Sequence, residues 1–122
     1  MVRQEQSFKR PSIYSEYHRT LPNWCYTIDV DWLEWRNNRG IVAFIETAVK
    51  LPETNPSSIL QTKEFEFKVL SELRRRTKIP TYLTIHTENC ENFWVYSINE
   101  NGNTIFIKSM TKLEYDNFIK TL

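Results

Sequence analysis

YTIDVDWLEW at residues 26–35, NNRG at residues 37–40 and IVAFIETAVK at residues 41–50 together predict a β-hairpin. Both flanking runs are typical of strands, and the short polar run between them is typical of a turn. In a symmetric hairpin, Asp31 faces Glu46 and Asp29 faces Ala48. Because strand side chains alternate between the two faces, these four residues and Lys50 all project from one side of the hairpin.

The opposed carboxylates are the strongest functional signal in the sequence. Directly opposed strand side chains lie roughly 5 Å apart at Cβ, and like charges at that distance repel each other. A divalent cation between Asp31 and Glu46 would turn this repulsion into attraction. Mg²⁺ is commonly bound by one or two carboxylates together with substrate phosphates. The pair therefore predicts a site for Mg²⁺ or Mn²⁺, although a solvent-exposed face of a two-stranded ribbon would show the same acidic residues.

Length and composition place further bounds on the protein. The 122 residues, of which 40% are hydrophobic, predict a single domain at 1–122 with a polar arm at 1–11. A net charge of +1 gives no overall field that would attract nucleic acid, so any such partner must be bound by a local patch. Two cysteines without CxxC spacing favour a reducing, cytoplasmic location. Apolar runs stay below the roughly 20 residues of a membrane span, so no membrane partner is expected.

Helices are predicted on both sides of the hairpin in the sequence. A capping box at Ser58–Gln61 begins one of them, and a second capping box at Thr111–Glu114 begins the last. The further predicted elements are a helix from Ser12 to about Arg19, a helix from Ser58 to about Thr77, strands at 81–86, 93–98 and 104–108, and a helix from Thr111 through Ile119. The predicted order is α-β-β-α-β-β-β-α, which indicates an α/β or α+β fold with a mixed central sheet flanked by helices.

This order, with its acidic residues, resembles the PD-(D/E)xK nuclease superfamily, which includes restriction endonucleases and small Holliday-junction resolvases. The matching residues are Glu16 on the first helix, Asp31 on the first hairpin strand, with Asp29 as its rival, and Glu46 on the second strand. The resemblance covers residues 12–86. It implies a restriction-endonuclease-like fold, a Mg²⁺ or Mn²⁺ cofactor and hydrolysis of phosphodiester bonds in DNA. Cutting two strands related by a dyad would call for a homodimer.

One position departs from the family pattern. The resemblance would place a lysine two residues after Glu46, and this chain has Ala48 there. That lysine would position the attacking water and offset charge on the phosphate, and losing such a cation costs several kcal/mol of transition-state stabilisation. Three explanations are open: an engineered Lys-to-Ala substitution, which we favour, a natural pseudoenzyme, or transfer of the role to Lys50. The sequence thus predicts impaired catalysis, with restoration by Ala48→Lys.

Other residues suggest ligands less specifically. Arg74, Arg75, Arg76 and Lys78 could bind nucleic-acid phosphates, but cations at a helix C-terminus also complement the helix dipole. A tetrahedral zinc site and a base-stacking surface are the remaining possibilities. The candidate zinc ligands are His18, Cys25, His86 and Cys90, and the candidate stacking residues are Trp24, Trp32, Trp35 and Trp94. Zinc spacing is absent, and aromatic residues in strands more often pack in a core.

The sequence therefore predicts a metal-dependent deoxyribonuclease of the PD-(D/E)xK type. A module that binds nucleic acid without cutting it is the alternative. A protein-interaction domain of viral or mobile-element origin is the third possibility. Restoring a lysine at position 48 distinguishes the first from the second, and metal titration distinguishes both from the third.

Overall fold

The computed structural model describes residues 12–122, so the polar arm predicted at 1–11 lies outside the described residues. Four helices and five strands follow one another along this part of the chain. They are α1 (Ser12–His18), β1 (Trp32–Arg36), β2 (Gly40–Lys50), α2 (Pro56–Thr62), α3 (Glu64–Thr77), β3 (Thr81–Thr87), β4 (Asn92–Ile98), β5 (Thr104–Thr111) and α4 (Lys112–Lys120).

The strands form one mixed sheet in the order β1-β2-β3-β4-β5. β2 and β3 are parallel, whereas the other neighbouring strands are antiparallel. Parallel neighbours need a crossover connection, and α2 and α3 provide it. The predicted class, a mixed sheet flanked by helices, is confirmed.

The helix predicted from Ser58 to Thr77 is in fact two helices. Asn55, not Ser58, is the N-cap of α2, because its side chain accepts a hydrogen bond from the Ser58 N–H at 3.0 Å. α2 ends at Thr62, and Lys63 separates it from α3. The capping box predicted at Thr111 and Glu114 is present at the start of α4.

The hairpin has the predicted register at its open end. Trp32 is opposite Ile45. Asp31 comes one residue before Trp32 and Glu46 comes one residue after Ile45, so the same register places Asp31 opposite Glu46. A bulge after Glu34 shifts the pairing by one residue, so that Arg36 pairs with Gly40. The turn between the two strands is therefore one residue shorter than in a symmetric hairpin.

The first hairpin strand is shorter than predicted, since residues 26–31 lie outside β1. The Asp31 carboxylate accepts a hydrogen bond from the Thr47 N–H at 2.9 Å. In a longer β1, a backbone carbonyl would accept that bond. Aspartate side chains compete with backbone acceptors in this way. Here the competition keeps the residues before Trp32 out of β1.

Each face of the sheet carries its own apolar cluster. α2 and α3 cover one face, and α4 covers the other. The first cluster consists of Phe67, Leu70, Leu83, Ile85, Tyr96 and Ile98, with Ala48, Ile59, Leu60, Leu73 and Trp94 packed against it. The second consists of Phe93, Val95 and Met110, with Tyr82, Tyr115 and Phe118 packed against it. In the part of the chain that the structure describes, no helix is long and apolar enough to cross a membrane.

Arg74 connects α3 to the sheet. Its guanidinium donates to the Ser97 hydroxyl at 2.8 Å and to the Ile98 carbonyl at 2.7 Å, in a partly buried position. Hydrogen bonds from charged groups contribute about 1.5–3 kcal/mol each. The structure thus gives the Arg74 guanidinium a role in holding α3 against the sheet, and its predicted role in binding phosphate stays a prediction.

We expect Arg74→Ala to lower the free energy of unfolding by about 2 kcal/mol, because the Ile98 carbonyl would lose its partly buried donor. Arg75→Ala is the matched control, since Arg75 is exposed and its ion pair with Glu72 is 3.9 Å long. Exposed pairs contribute about 0–1 kcal/mol. Urea denaturation of the two variants measures the difference, and equal losses would contradict the structural role of Arg74.

Candidate functional site

A carboxylate pair lies where β1 begins beside β2. Oδ2 of Asp31 accepts hydrogen bonds from the Thr47 N–H at 2.9 Å and from the Thr47 hydroxyl at 3.2 Å. The Glu46 side chain is hydrogen-bonded to Asp31. Glu46 is buried, with 5% of its surface exposed, whereas Asp31 is exposed. The predicted opposition of Asp31 and Glu46 is confirmed.

An ammonium group completes this site. The Nζ atom of Lys63 lies 3.7 Å from Oε2 of Glu46, and the Lys63 side chain is largely buried. Lys63 stands between α2 and α3, in the crossover that returns the chain from β2 to β3. The site therefore combines two facing carboxylates from the hairpin with one cation from the helical crossover.

The two carboxyl groups differ in acidity. Burial raises the pKa of Glu46 to about 7, and the hydrogen bond to Asp31 and the Asp31 charge act in the same direction, while Lys63 opposes them. Burial also raises the pKa of Asp31, but hydrogen bonds from Glu46 and Thr47 outweigh it, so the pKa of Asp31 is lowered. Below neutral pH, protonated Glu46 therefore donates a hydrogen bond to ionised Asp31.

The donor set fits one Mg²⁺ or Mn²⁺ ion. Of the two adjacent carboxyl groups, Glu46 keeps a proton because of its burial and, to a smaller extent, because of Asp31, and a cation could take the place of this proton. Within residues 12–122, no group of three or more His, Cys, Asp or Glu side chains is arranged to hold a metal ion. A metal at Asp31 and Glu46 would thus take its remaining ligands from water or substrate, as Mg²⁺ commonly does.

Two predicted members of this site lie elsewhere. Asp29 is outside β1 and lines a cavity with residues of α1, including Tyr14 and His18, so its predicted position opposite Ala48 is wrong. Glu16 is exposed on α1. Neither residue completes a metal-binding cluster with Asp31 and Glu46 among the described residues.

Ala48 and Lys50 follow Glu46 on the same face of β2, as predicted, but this face is covered. Ala48 packs against the apolar cluster under α2 and α3. The Nζ atom of Lys50 lies 5.7 Å from the centre of the Trp94 ring and donates to the Leu51 carbonyl. Lys50 is therefore engaged away from Glu46, and a lysine at position 48 would have to displace packed apolar side chains.

The basic residues at the C-terminus of α3 are also engaged. Arg76 pairs with Glu72 at 2.9 Å, and Lys78 pairs with Glu100 at 3.0 Å. α3 has 14 residues, so its ends are about 20 Å apart. Lys63 is at one end and these basic residues are at the other. They do not belong to the carboxylate site.

The four candidate zinc ligands do not meet in one place. His18 contacts the Thr27 hydroxyl through Nε2 at 2.6 Å, whereas Nδ1 of His86 lies 3.6 Å from Sγ of Cys90. Among residues 12–122, no cluster of three or more potential ligands includes them. The possible zinc site is therefore not formed by these side chains.

Lys63 was missed by the sequence analysis, although a signal was available. It lies four residues after Ile59 and four before Phe67, so it interrupts the apolar stripe that a continuous helix would present to the sheet. A lysine in such a stripe needs a buried or partly buried partner, and Glu46 is that partner.

No family model, no curated protein and no solved structure matches this chain significantly. What the protein does must therefore be inferred from the chemistry of Asp31, Glu46 and Lys63.

We expect the stability of the protein to fall as pH rises from about 5 to about 7. The raised pKa of Glu46 means that the folded protein keeps a proton which the unfolded chain loses near pH 4.5. In this interval the folded state binds more protons than the unfolded state. The free energy of unfolding therefore decreases as pH rises. Between these two pH values, the free energy of unfolding should decrease by about 2 kcal/mol.

Denaturation curves across this pH range measure the effect. Glu46→Gln should remove the slope, because glutamine does not titrate. Glu53→Gln, in the exposed loop before α2, serves as the control and should keep the slope. A wild-type slope that persists in Glu46→Gln would show that another group is responsible.

Proposed function

We propose that this protein is a metal-dependent nuclease in which Asp31, Glu46 and Lys63 form the active site. The observation that carries the proposal is the buried Glu46 carboxyl group, held against Asp31 on one side and 3.7 Å from the Lys63 ammonium on the other. A carboxylate pair without a ligand is unfavourable in a folded protein, because each charge raises the cost of ionising the other. Such perturbed pairs mark functional sites.

Each residue has a distinct role in this proposal. Asp31 and Glu46 would hold Mg²⁺ or Mn²⁺. When bound, the ion would lower the pKa of an attacking water and offset charge on the phosphate. Thr47 keeps the Asp31 carboxylate oriented through two hydrogen bonds. Lys63 supplies the fixed cation that would bind the phosphate near Glu46, the role predicted for a lysine at position 48.

The fold supports the resemblance to the PD-(D/E)xK superfamily. Acidic residues at the start of β1 and in β2, a helical crossover and a strand parallel to β2 follow in the order that the resemblance requires. On this proposal, Lys63 takes the role of the motif lysine, and neither an engineered substitution nor a catalytic Lys50 is invoked. On this proposal, Ala48 is a packing residue and the chain is active.

The proposed substrate is DNA and the proposed location is the cytoplasm, where Cys25 and Cys90 would stay free, as they are in the structure. We also propose a homodimer for substrates with two strands. β5 is an edge of the sheet, and its Ile105, Phe106 and Ile107 side chains are exposed. Exposed apolar edges of this kind are frequent sites of association.

A module that binds nucleic acid without cutting it is the second candidate. One observation favours it: the position two residues after Glu46 holds an alanine that packs in the core. On this alternative, Lys63 only neutralises Glu46, and metal binding has no catalytic consequence.

We expect the protein to cleave DNA in the presence of Mn²⁺, and Lys63→Gln to slow cleavage about 100-fold or more, because one preorganised charge at a reacting centre is worth that much. The measurement is the cleavage rate of labelled single-stranded, duplex and four-way-junction DNA. Glu46→Gln should abolish both cleavage and the binding of Mn²⁺ seen by calorimetry.

Lys68→Gln is the matched control, since Lys68 is an exposed lysine on α3 away from the pair. It should cleave at the wild-type rate. DNA binding without cleavage of any of the three substrates would favour the binding module. Equal affinity for Mn²⁺ in wild type and Glu46→Gln would remove the metal site from the proposal.

A further inference from the structure

α4 crosses the face of the sheet that lies opposite α2 and α3. Near the start of α4, Glu114 pairs with Lys108 of β5 at 2.6 Å. Near its end, the Ile119 carbonyl accepts a hydrogen bond from Arg36 of β1 at 2.7 Å. An α-helix with its side chains is about 10 Å wide, which is about twice the spacing between strands. One helix that runs from β5 to β1 therefore leaves part of this face uncovered.

A cavity of about 260 Å³ lies beside α4 on this face. Its walls are mainly apolar and include aromatic rings. The apolar lining residues are Trp32, Ile45, Phe93, Tyr115 and Ile119. A cavity of about 150 Å³ with apolar walls is large enough to bind benzene. The cavity beside α4 therefore has room for one aromatic ring with a short substituent.

A cysteine and a histidine lie next to each other at this cavity. Cys90 and His86 both line it, and Sγ of Cys90 lies 3.6 Å from Nδ1 of His86. Nδ1 also lies 2.8 Å from the Thr87 carbonyl oxygen, which can only accept a hydrogen bond, so Nδ1 carries a hydrogen. The Cys90 N–H donates to the same carbonyl at 3.0 Å. One backbone oxygen therefore holds Cys90 and the imidazole N–H side by side.

The imidazole N–H next to the sulfur suits Cys90 for attack on an electrophile. The thiolate is the nucleophilic form of cysteine, and a neighbouring donor or cation stabilises negative charge on sulfur. Cys90 is exposed, so a reagent in solution can reach it. Cys25 is half-buried and does not line this cavity. The two free cysteines therefore differ in their surroundings, and only Cys90 combines a donor with an adjacent cavity.

We propose that Cys90 is a site of thiol–disulfide exchange, and that the cavity beside α4 holds the aromatic half of a small, uncharged disulfide. Sγ of Cys90 gives up its proton to water and attacks one sulfur of the disulfide. The S–S bond breaks, and the other half leaves as a thiolate that takes a proton from water. The products are a mixed disulfide at Cys90 and one free thiol. The disulfide itself is the oxidant, so no other is needed.

The charges around the cavity favour an uncharged disulfide. Glu34 is buried at the cavity, and the exposed Glu88 and Glu91 lie close to Cys90 in the chain. Among the lining residues that the structure describes, His86 is the only one that can carry a positive charge. Carboxylates repel an anionic reagent. The occupant is therefore neutral, with an apolar ring that fits the aromatic walls.

This inference goes beyond the proposed function and does not depend on it. The cavity lies on the side of the sheet that α4 covers, whereas Lys63 belongs to the crossover on the other side. Small thiols return a mixed disulfide to the free cysteine. The modification would thus be transient in a reducing cytoplasm, as disulfides there usually are.

The test compares two uncharged disulfides, aromatic 4,4′-dithiodipyridine and aliphatic bis(2-hydroxyethyl) disulfide. Cys25→Ser leaves Cys90 as the reacting thiol, and Cys90→Ser leaves Cys25. Intact-mass spectrometry follows formation of the mixed disulfide. The ratio of the aromatic to the aliphatic rate removes the difference in exposure between the two cysteines. We expect this ratio to be about fivefold higher for Cys90, because contact with an aromatic wall contributes about that factor.

Two variants at position 86 test the role of the imidazole N–H. His86→Leu should slow the reaction of Cys90 with both disulfides about tenfold, because a hydrogen bond to a charged atom contributes about that factor. His86→Asn should restore most of the rate, since the asparagine side chain has an N–H that can take the place of Nδ1–H. A purely structural role of His86 would not produce this rescue.

Trp32→Leu tests the cavity. It should lower the ratio of the aromatic to the aliphatic rate at Cys90 to the value for Cys25, because the aromatic wall is lost. Trp35→Leu is the matched control, since Trp35 is 58% exposed on the same strand and does not line the cavity. It should keep the wild-type ratio. Leucine keeps an apolar side chain at each position, and circular dichroism checks that each variant is folded.

Four results would overturn the inference. They are equal rate ratios for Cys90 and Cys25, a reaction of His86→Asn as slow as that of His86→Leu, equal effects of Trp32→Leu and Trp35→Leu, and disulfide-linked dimers of the protein in place of the mixed disulfide. The comparison of Cys90 with Cys25 needs no change at position 32 or 86. It therefore decides the question even if one of those variants does not fold.

Discussion

The parallel pairing of β2 with β3 is the constraint on which the rest of the structure depends. Two parallel neighbours cannot be joined by a tight turn, so the chain must cross over the sheet, and α2 and α3 make this crossover. Because they cover one face of β2, Glu46 becomes buried and Ala48 becomes part of the apolar cluster. The same crossover carries Lys63 to Glu46.

The burial of Glu46 produces the chemistry of the site. A carboxylate in water beside Asp31 would repel it only weakly, whereas loss of water raises the pKa of Glu46 to about 7 and leads to a hydrogen bond between the two groups. Keeping this pair costs stability at neutral and higher pH. Natural proteins tolerate such costs mainly at functional sites, which is why the geometry supports a binding or catalytic role for Asp31 and Glu46.

The success of the hairpin prediction and the failure of the helix prediction have different physical causes. The pairing of Asp31 with Glu46 depends on strand alternation and on a short turn, both of which are local properties of the sequence. The bulge after Glu34 shortened the turn without changing the register near Asp31. By contrast, the N-cap of α2 is Asn55 and not Ser58. The Asn55 side chain and Pro56 begin the helix three residues earlier than a capping box at Ser58 would.

The sequence by itself determined the mixed α+β class, the hairpin register and the facing carboxylates, because these follow from side-chain period and from turn residues close together in the chain. Only the tertiary structure decided which cation serves the site. Lys50 and a lysine at position 48 were the candidates in local sequence, yet Lys63 lies against Glu46, 17 positions further along the chain. This contact depends on how the crossover packs on the sheet, and that packing is set by long-range burial of apolar side chains.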